Sequence, residues 1–296
     1  MIMVSKNILV TGANGQLGKE LRGLEENFPN YKFFFTDLQE LAIEDASAVK
    51  DFFRNQPLFA CINCAAYTAV DKAESEMEKV MLINADAVGN LAEACAHHAT
   101  QFIHISTDYV FDGNSEIPYR EDDPTKPVNH YGLTKLQGEK LALEKNPSTI
   151  IIRTSWVYSE HGNNFVKTMM RLMKEKESIN VINDQLGSPT YAADLAEVIM
   201  KILTMIDDRS TAIEYGIFHY SNEGKISWYE FAVAIKELLS SSCKVNPIPT
   251  AQYSTPAKRP QYSLLDKSKI KTVYKIKIPD WRSSLTRCMK RLLTTT

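Results

Sequence analysis

Tyr131 and Lys135 stand four residues apart in the run Tyr131-Gly132-Leu133-Thr134-Lys135. If that run is helical, the phenol and the ammonium project side by side from one face. A tyrosine titrates near pH ~10 and is a poor acid–base group at neutral pH. A lysine cation beside it favours the phenolate and draws that pKa toward the working range, which suits a proton donor. The same spacing also arises on any surface helix carrying an aromatic and a lysine. Position separates the two readings. The pair follows a strand ending Ser106-Thr107-Asp108 and a Pro-, Asp- and Gly-rich loop from Thr107 to about Asn129. A threonine hydroxyl just past a strand end can bond a substrate oxygen, or serve only as a cap or turn.

A donor of this kind needs something to act beside, and the start of the chain offers it. In Ile8-Leu9-Val10-Thr11-Gly12-Ala13-Asn14-Gly15-Gln16-Leu17-Gly18, an apolar strand stops at a glycine. A helix with apolar Leu17, Leu21 and Leu24 begins inside the glycine cluster. Free N–H groups and the positive helix end then converge on one spot, which suits a pyrophosphate. Gly12 would allow the tight turn, Gly15 the approach of phosphate and Gly18 close helix–strand packing. The spacing is G-x-x-G-x-x-G, one residue longer than the usual dinucleotide fingerprint. A second strand, Tyr31 to Thr36, ends on Asp37, where an acidic side chain would take ribose hydroxyls.

The elements that must position these groups alternate. Helix is expected over Ala46 to Asn55, strand over Leu58 to Ala66, and a long helical region from about Asp71 to His98. Strand follows at Phe102 to Ser106, helix from about Tyr131 to Lys145 and strand at Thr149 to Thr154. Near-continuous apolar strands between helices imply a parallel sheet covered on both faces. That is a doubly wound, Rossmann-type α/β fold, with its ligand beyond the carboxyl ends of the strands. Past residue 155 the alternation loosens into short helices (about Phe165 to Lys174, Tyr191 to Leu203, Trp228 to Leu239) and proline-rich segments. We expect a dinucleotide-binding domain over residues 1–155, with returns from about 191–220. A smaller, discontinuous substrate lobe is expected over 156–296.

Composition fits a globular protein. The 296 residues are 44% hydrophobic and 24% charged, with a formal net charge of -2, so no basic excess points to nucleic acid. No apolar run reaches the roughly 18 residues of a membrane-spanning helix, and Met1-Ile2-Met3-Val4 is too short for a signal segment. Five cysteines, an odd number, lie mostly in apolar runs. Cys61-Ile62-Asn63-Cys64 matches C-x-x-C, yet a strand alternates its faces and no second pair follows. Buried thiols in a reducing cytoplasm are the expectation.

The glycine motif with Tyr131 and Lys135 resembles the extended short-chain dehydrogenase/reductase family. Four stretches narrow the likeness: Asn63 to Glu74, Ser106-Thr107-Asp108-Tyr109-Val110-Phe111-Asp112-Gly113, Arg153-Thr154-Ser155-Trp156-Val157-Tyr158, and Asp184-Gln185-Leu186-Gly187-Ser188-Pro189-Thr190. They are similar to the branch that acts on nucleotide-linked deoxy sugars, from the first strand through Arg259-Pro260. The resemblance implies hydride transfer from NADH or NADPH to the C4 ketone of a dTDP-linked 6-deoxy-hexulose. Tyr131 would protonate the developing alkoxide. Lys135 would lower the tyrosine pKa and hold the nicotinamide ribose. Thr107 would bond the substrate carbonyl.

Cofactor contacts then fall on Gly12, Asn14, Gly15, Gln16, Leu17 and Asp37, with Ala65, Ala66, Tyr67, Tyr131 and Lys135. Substrate contacts fall on Thr68, Val70, Thr107, Asp108, Tyr109, Tyr131, Trp156 and Arg259. Trp156 offers a flat face to a sugar, although a core tryptophan would read the same. Lys258-Arg259 are candidates for the substrate diphosphate, Arg259 first, or else a solvated basic pair. Where the family commonly has an acid that meets the adenine amino group, this chain reads Leu41-Ala42-Ile43. Asp37 favours NADH, although the family uses both cofactors. Some relatives bridge a homodimer with magnesium. Ala192-Ala193-Asp194 supplies no dependable ligand set here, so no metal residues are assigned and oligomeric state stays open. The alternatives are another nucleotide-sugar reductase or epimerase, and a non-catalytic subunit like the β subunit of methionine adenosyltransferase.

Overall fold

A computed structural model describes residues 6–208 and 213–294; the segment Met1 to Val4 lies outside them. Six strands form the central sheet: β1 (Lys6–Thr11), β2 (Tyr31–Thr36), β3 (Leu58–Asn63), β4 (Gln101–Thr107), β5 (Thr149–Thr154) and β6 (Gly216–His219). Their spatial order is β6-β5-β4-β3-β1-β2, and every neighbouring pair is parallel. The chain steps outward from β1 to β2, then returns and builds the other way from β3. The switch point therefore lies between β1 and β3, where the carboxyl ends of the strands open a crevice.

The longer helices are α1 (Gln16–Gly23), α2 (Ala46–Asn55), α3 (Ala87–His97), α4 (His130–Lys145), α5 (Phe165–Glu175), α6 (Ala192–Asp208), α7 (Trp228–Leu239) and α8 (Trp281–Thr294). Strand alternation divides them. Ile8, Val10, Ile62 and Ile152 pack with α1 and α6 on one face. Leu9, Cys61, Phe102 and Ile151 pack with α2, α3 and α4 on the other. Both faces are covered, which is why the strands are apolar throughout.

The helical region expected from Asp71 to His98 is broken. Val70–Ala73 and Met77–Met81 are single turns, and a π-turn spans Leu82–Asp86 before α3 starts. The π-turn turns buried Asn84 toward the loop after β3: Asn84 Oδ1 accepts from the Tyr67 N–H (2.8 Å) and Nδ2 donates to the Tyr67 carbonyl (3.1 Å). Hydrogen-bonding strand geometry also ends at Asn63 rather than Ala66, so Cys64 to Ala66 enter the crevice as irregular backbone. Beyond residue 155, α6 and β6 return to the sheet, while α5, α7 and α8 gather a second apolar cluster around Tyr158, Tyr191 and Phe231. All five cysteines are unpaired, and among the described residues no helix is long and apolar enough to cross a membrane.

Candidate active site

The glycine turn is built for close backbone approach. Gly12 has φ +64°, and a Cβ there would lie 2.6 Å from the Ala65 backbone, so only glycine fits between β1 and the end of β3. The first turn of α1 carries no side-chain cap and no acidic residue, which leaves its N–H groups and positive end for an anion. This uncapped helix start, opening on the crevice, fits a dinucleotide pyrophosphate. Asp37 closes the far side: Oδ2 accepts from the Asn14 N–H (3.0 Å) and Oδ1 from the Leu38 N–H (2.9 Å).

Across the crevice, Asn129 caps α4 by accepting from the Gly132 N–H at 2.8 Å, which sets where the helix begins and so where Tyr131 stands. Thr107, the last residue of β4, donates to Asp108 Oδ1 (3.0 Å) and accepts from the Tyr109 N–H (3.2 Å). Burial raises the Tyr131 phenol above its ordinary value, with the nearby Thr107 hydroxyl opposing. The expected downward shift is thus absent, because burial prevails; Lys135 is held by β4. Its Nζ donates to the Ile105 carbonyl at 2.7 Å and lies 3.3 Å from His104 Nε2. Burial pulls Lys135 itself down to about 8, with Glu139 opposing. Asp108 is raised by burial to about 7.

These groups share one cleft of ≈ 910 Å³. Gly12, Gly15, Gln16, Leu17 and Asp37 line one end; Ala65, Ala66, Thr68 and Val70 line the floor. Thr107, Asp108, Tyr109, Tyr131, Lys135 and Trp156 line the other end. Asn14, Tyr67 and Arg259 are not in its wall. Asn14 meets Asp37 through its backbone, and the Tyr67 backbone is held by Asn84. The Arg259 guanidinium is bidentate to the Asp71 carboxylate, both contacts at 2.8 Å.

Several lining residues escape a reading of the sequence. Trp228 stacks on Trp156 with ring centroids 3.6 Å apart and 13° between planes. Trp156 has φ +49°, an uncommon conformation for a bulky residue, and it sits where β5 leaves the sheet. Leu41, Ile43 and Glu44 flank Asp37, so an acid stands two positions past Ala42. Gly162 and Asn163 also reach the cleft from beyond β5. Of these, only Leu41 and Ile43 had a sequence signal, the Leu41-Ala42-Ile43 stretch after β2; Trp228 and Asn163 had none. As for metals, among the described residues no group of three or more His, Cys, Asp or Glu side chains could hold an ion. Asp194 is already engaged by Asn222 (2.7 Å), Ser284 (2.5 Å) and Arg287.

Comparisons with known proteins agree with this fold. The chain is 42% identical over 284 residues to the dTDP-4-dehydrorhamnose reductase of Aggregatibacter actinomycetemcomitans, covering 94% of this chain and 96% of the relative. A solved dTDP-4-dehydrorhamnose reductase from Clostridium acetobutylicum superposes with a TM-score of 0.91 at 41% identity, covering 97% of this chain and 99% of that one. Another, from Bacillus anthracis and in complex with NADP, has a TM-score of 0.91 at 38% identity, covering 99% and 100%. The family model described as the RmlD substrate binding domain matches residues 6–294, and the chain belongs to that family.

Proposed function

We propose that the protein reduces the C4 ketone of dTDP-4-dehydro-6-deoxy-L-mannose (dTDP-4-dehydrorhamnose) to dTDP-L-rhamnose with NADH or NADPH, the last step in making that sugar nucleotide. The observation that carries this reading is the convergence of Thr107, Tyr131 and Lys135 in the cleft that also holds the glycine turn. The reading also draws on the named relatives, and it places the enzyme in the cytoplasm; a homodimer is compatible with it.

The bound nicotinamide would supply the hydride. Gly12, Gly15, Gln16 and Leu17 hold the pyrophosphate, Asp37 the adenosine ribose, and Ala65 and Ala66 border the cofactor. Thr107 orients the ketone oxygen. Tyr131 gives its phenolic proton to that oxygen as negative charge builds, and Lys135 stabilises the phenolate left behind. Burial raises the Tyr131 phenol, which keeps the proton on the donor until the alkoxide forms. Trp156, backed by Trp228, faces the sugar, with Thr68, Val70 and Tyr109 around it. Arg259, its fork held by Asp71, is assigned to the diphosphate at the cleft edge.

The test is cofactor oxidation, followed by absorbance, with the dTDP-ketose generated in situ. Wild type should turn over, and Tyr131→Phe should lose at least about a hundredfold in kcat, the scale of a missing general acid. Equal rates would remove Tyr131 from its role, and no turnover by wild type would end the substrate assignment.

A further inference from the structure

Behind Lys135 lies a buried hydrogen-bond chain that the reaction described above does not use. Thr11, at the end of β1, donates to Asn63 Oδ1 at 2.7 Å, and the Ala65 backbone N–H donates to the same oxygen at 3.1 Å. The Asn63 amide also faces His104 Nδ1 at 3.0 Å, and His104 Nε2 faces Lys135 Nζ at 3.3 Å. Asn63 and His104 are fully buried, and Lys135 is 1% exposed.

The direction of every bond in this chain can be deduced. A backbone N–H only donates, so the atom that Ala65 meets must be the amide oxygen of Asn63. The Asn63 NH₂ therefore points at His104 Nδ1, which must accept. Complete burial disfavours the imidazolium and keeps the ring neutral. A neutral ring that accepts at Nδ1 carries its single proton on Nε2. That N–H is aimed at Lys135.

We propose that His104, locked by Asn63 as its Nε2–H tautomer, donates to the Lys135 nitrogen and so favours the lysine amine over the ammonium. An amine offers a lone pair to this N–H and still donates to the Ile105 carbonyl. An ammonium has no lone pair and meets the N–H as a second donor. The other ionisable groups acting on Lys135 are Glu139 one turn along α4 and Cys64 after β3, and both favour the ammonium. His104 touches neither the cleft nor the reacting atoms. It is a positioning residue, and it brings the loss of the Lys135 charge into the range where the protein works.

The kinetic half of the test rests on the function proposed above; the spectroscopic half does not. Nitrogen-15 NMR of the wild-type protein should show His104 with the proton on Nε2, Nδ1 unprotonated, and no change from about pH 6 to about pH 9. An Nδ1–H tautomer or an imidazolium would overturn the proposal, whatever the substrate proves to be. His104→Phe keeps a ring of similar shape but removes the donor. Its alkaline limb of kcat/KM should lie about one pH unit above that of wild type, because the ammonium no longer faces an N–H. A limb that stays in place or moves down would equally overturn it. If the variant does not fold, the wild-type spectrum decides alone.

Discussion

Lys135 is 1% exposed, and its surroundings set when it loses its charge. Burial draws it down to about 8 while the same burial raises Tyr131, so as pH rises the lysine loses its proton first. In the mechanism we propose, turnover needs the ammonium, which is present below that value. The rate should therefore be level below about pH 8 and fall about tenfold per unit above it. A pH profile of kcat/KM that remains flat well past that point would show that the lysine charge is not required. The sequence placed Tyr131 and Lys135 on one helix face because that relation is a property of the helix alone. It misjudged their mutual effect. The partners of Lys135, His104 and Ile105, come from β4, and no local spacing announces them.

At the scale of the element, α4 is unusual in what it buries. Thr134, Lys135 and Glu139 are all inside. Glu139 is bidentate with Arg153 of β5 (2.7 and 2.9 Å) and accepts from Ser106 of β4 at 2.5 Å. Polar residues on the inner face blur the apolar stripe by which helices are read, so the length of α4 was legible while its buried face was not. Its glycines mark close contacts. A Cβ at Gly138 would strike the Asn84 carbonyl in the π-turn, a backbone atom that cannot swing aside. Gly138→Ala gains about 1 kcal/mol of helix propensity. Overpacking of this kind costs about 1–3 kcal/mol, and the immobile carbonyl puts the cost at the upper end. The variant should melt several degrees lower than wild type by circular dichroism; an unchanged or higher Tm would mean that the π-turn yields.

Across the whole molecule, the cleft is closed by contacts between distant parts of the chain. Asn164 donates to Gln16 Oε1 at 2.9 Å, Asn129 to the Lys258 carbonyl at 2.7 Å, and Arg259 bridges to Asp71. The Asp71–Arg259 pair is partly exposed (41% and 23%), so its loss should cost stability only about 0–1 kcal/mol. Arg259→Ala should therefore fold, with KM for the dTDP sugar raised about tenfold and kcat within about threefold of wild type. An unchanged KM would take the diphosphate away from Arg259. The sequence by itself determined the alternation of apolar strands and helices through β5, the glycine turn, the acid after β2 and the phenol–ammonium spacing. Each depends on backbone conformation or helical repeat within a few residues. Tertiary structure alone decided that β6 takes the sheet edge beside β5, that Trp228 backs Trp156, that Arg259 pairs with Asp71 and that His104 faces Lys135. Those are pairings between groups far apart in the chain, and they exist only once burial has removed water as the competing partner.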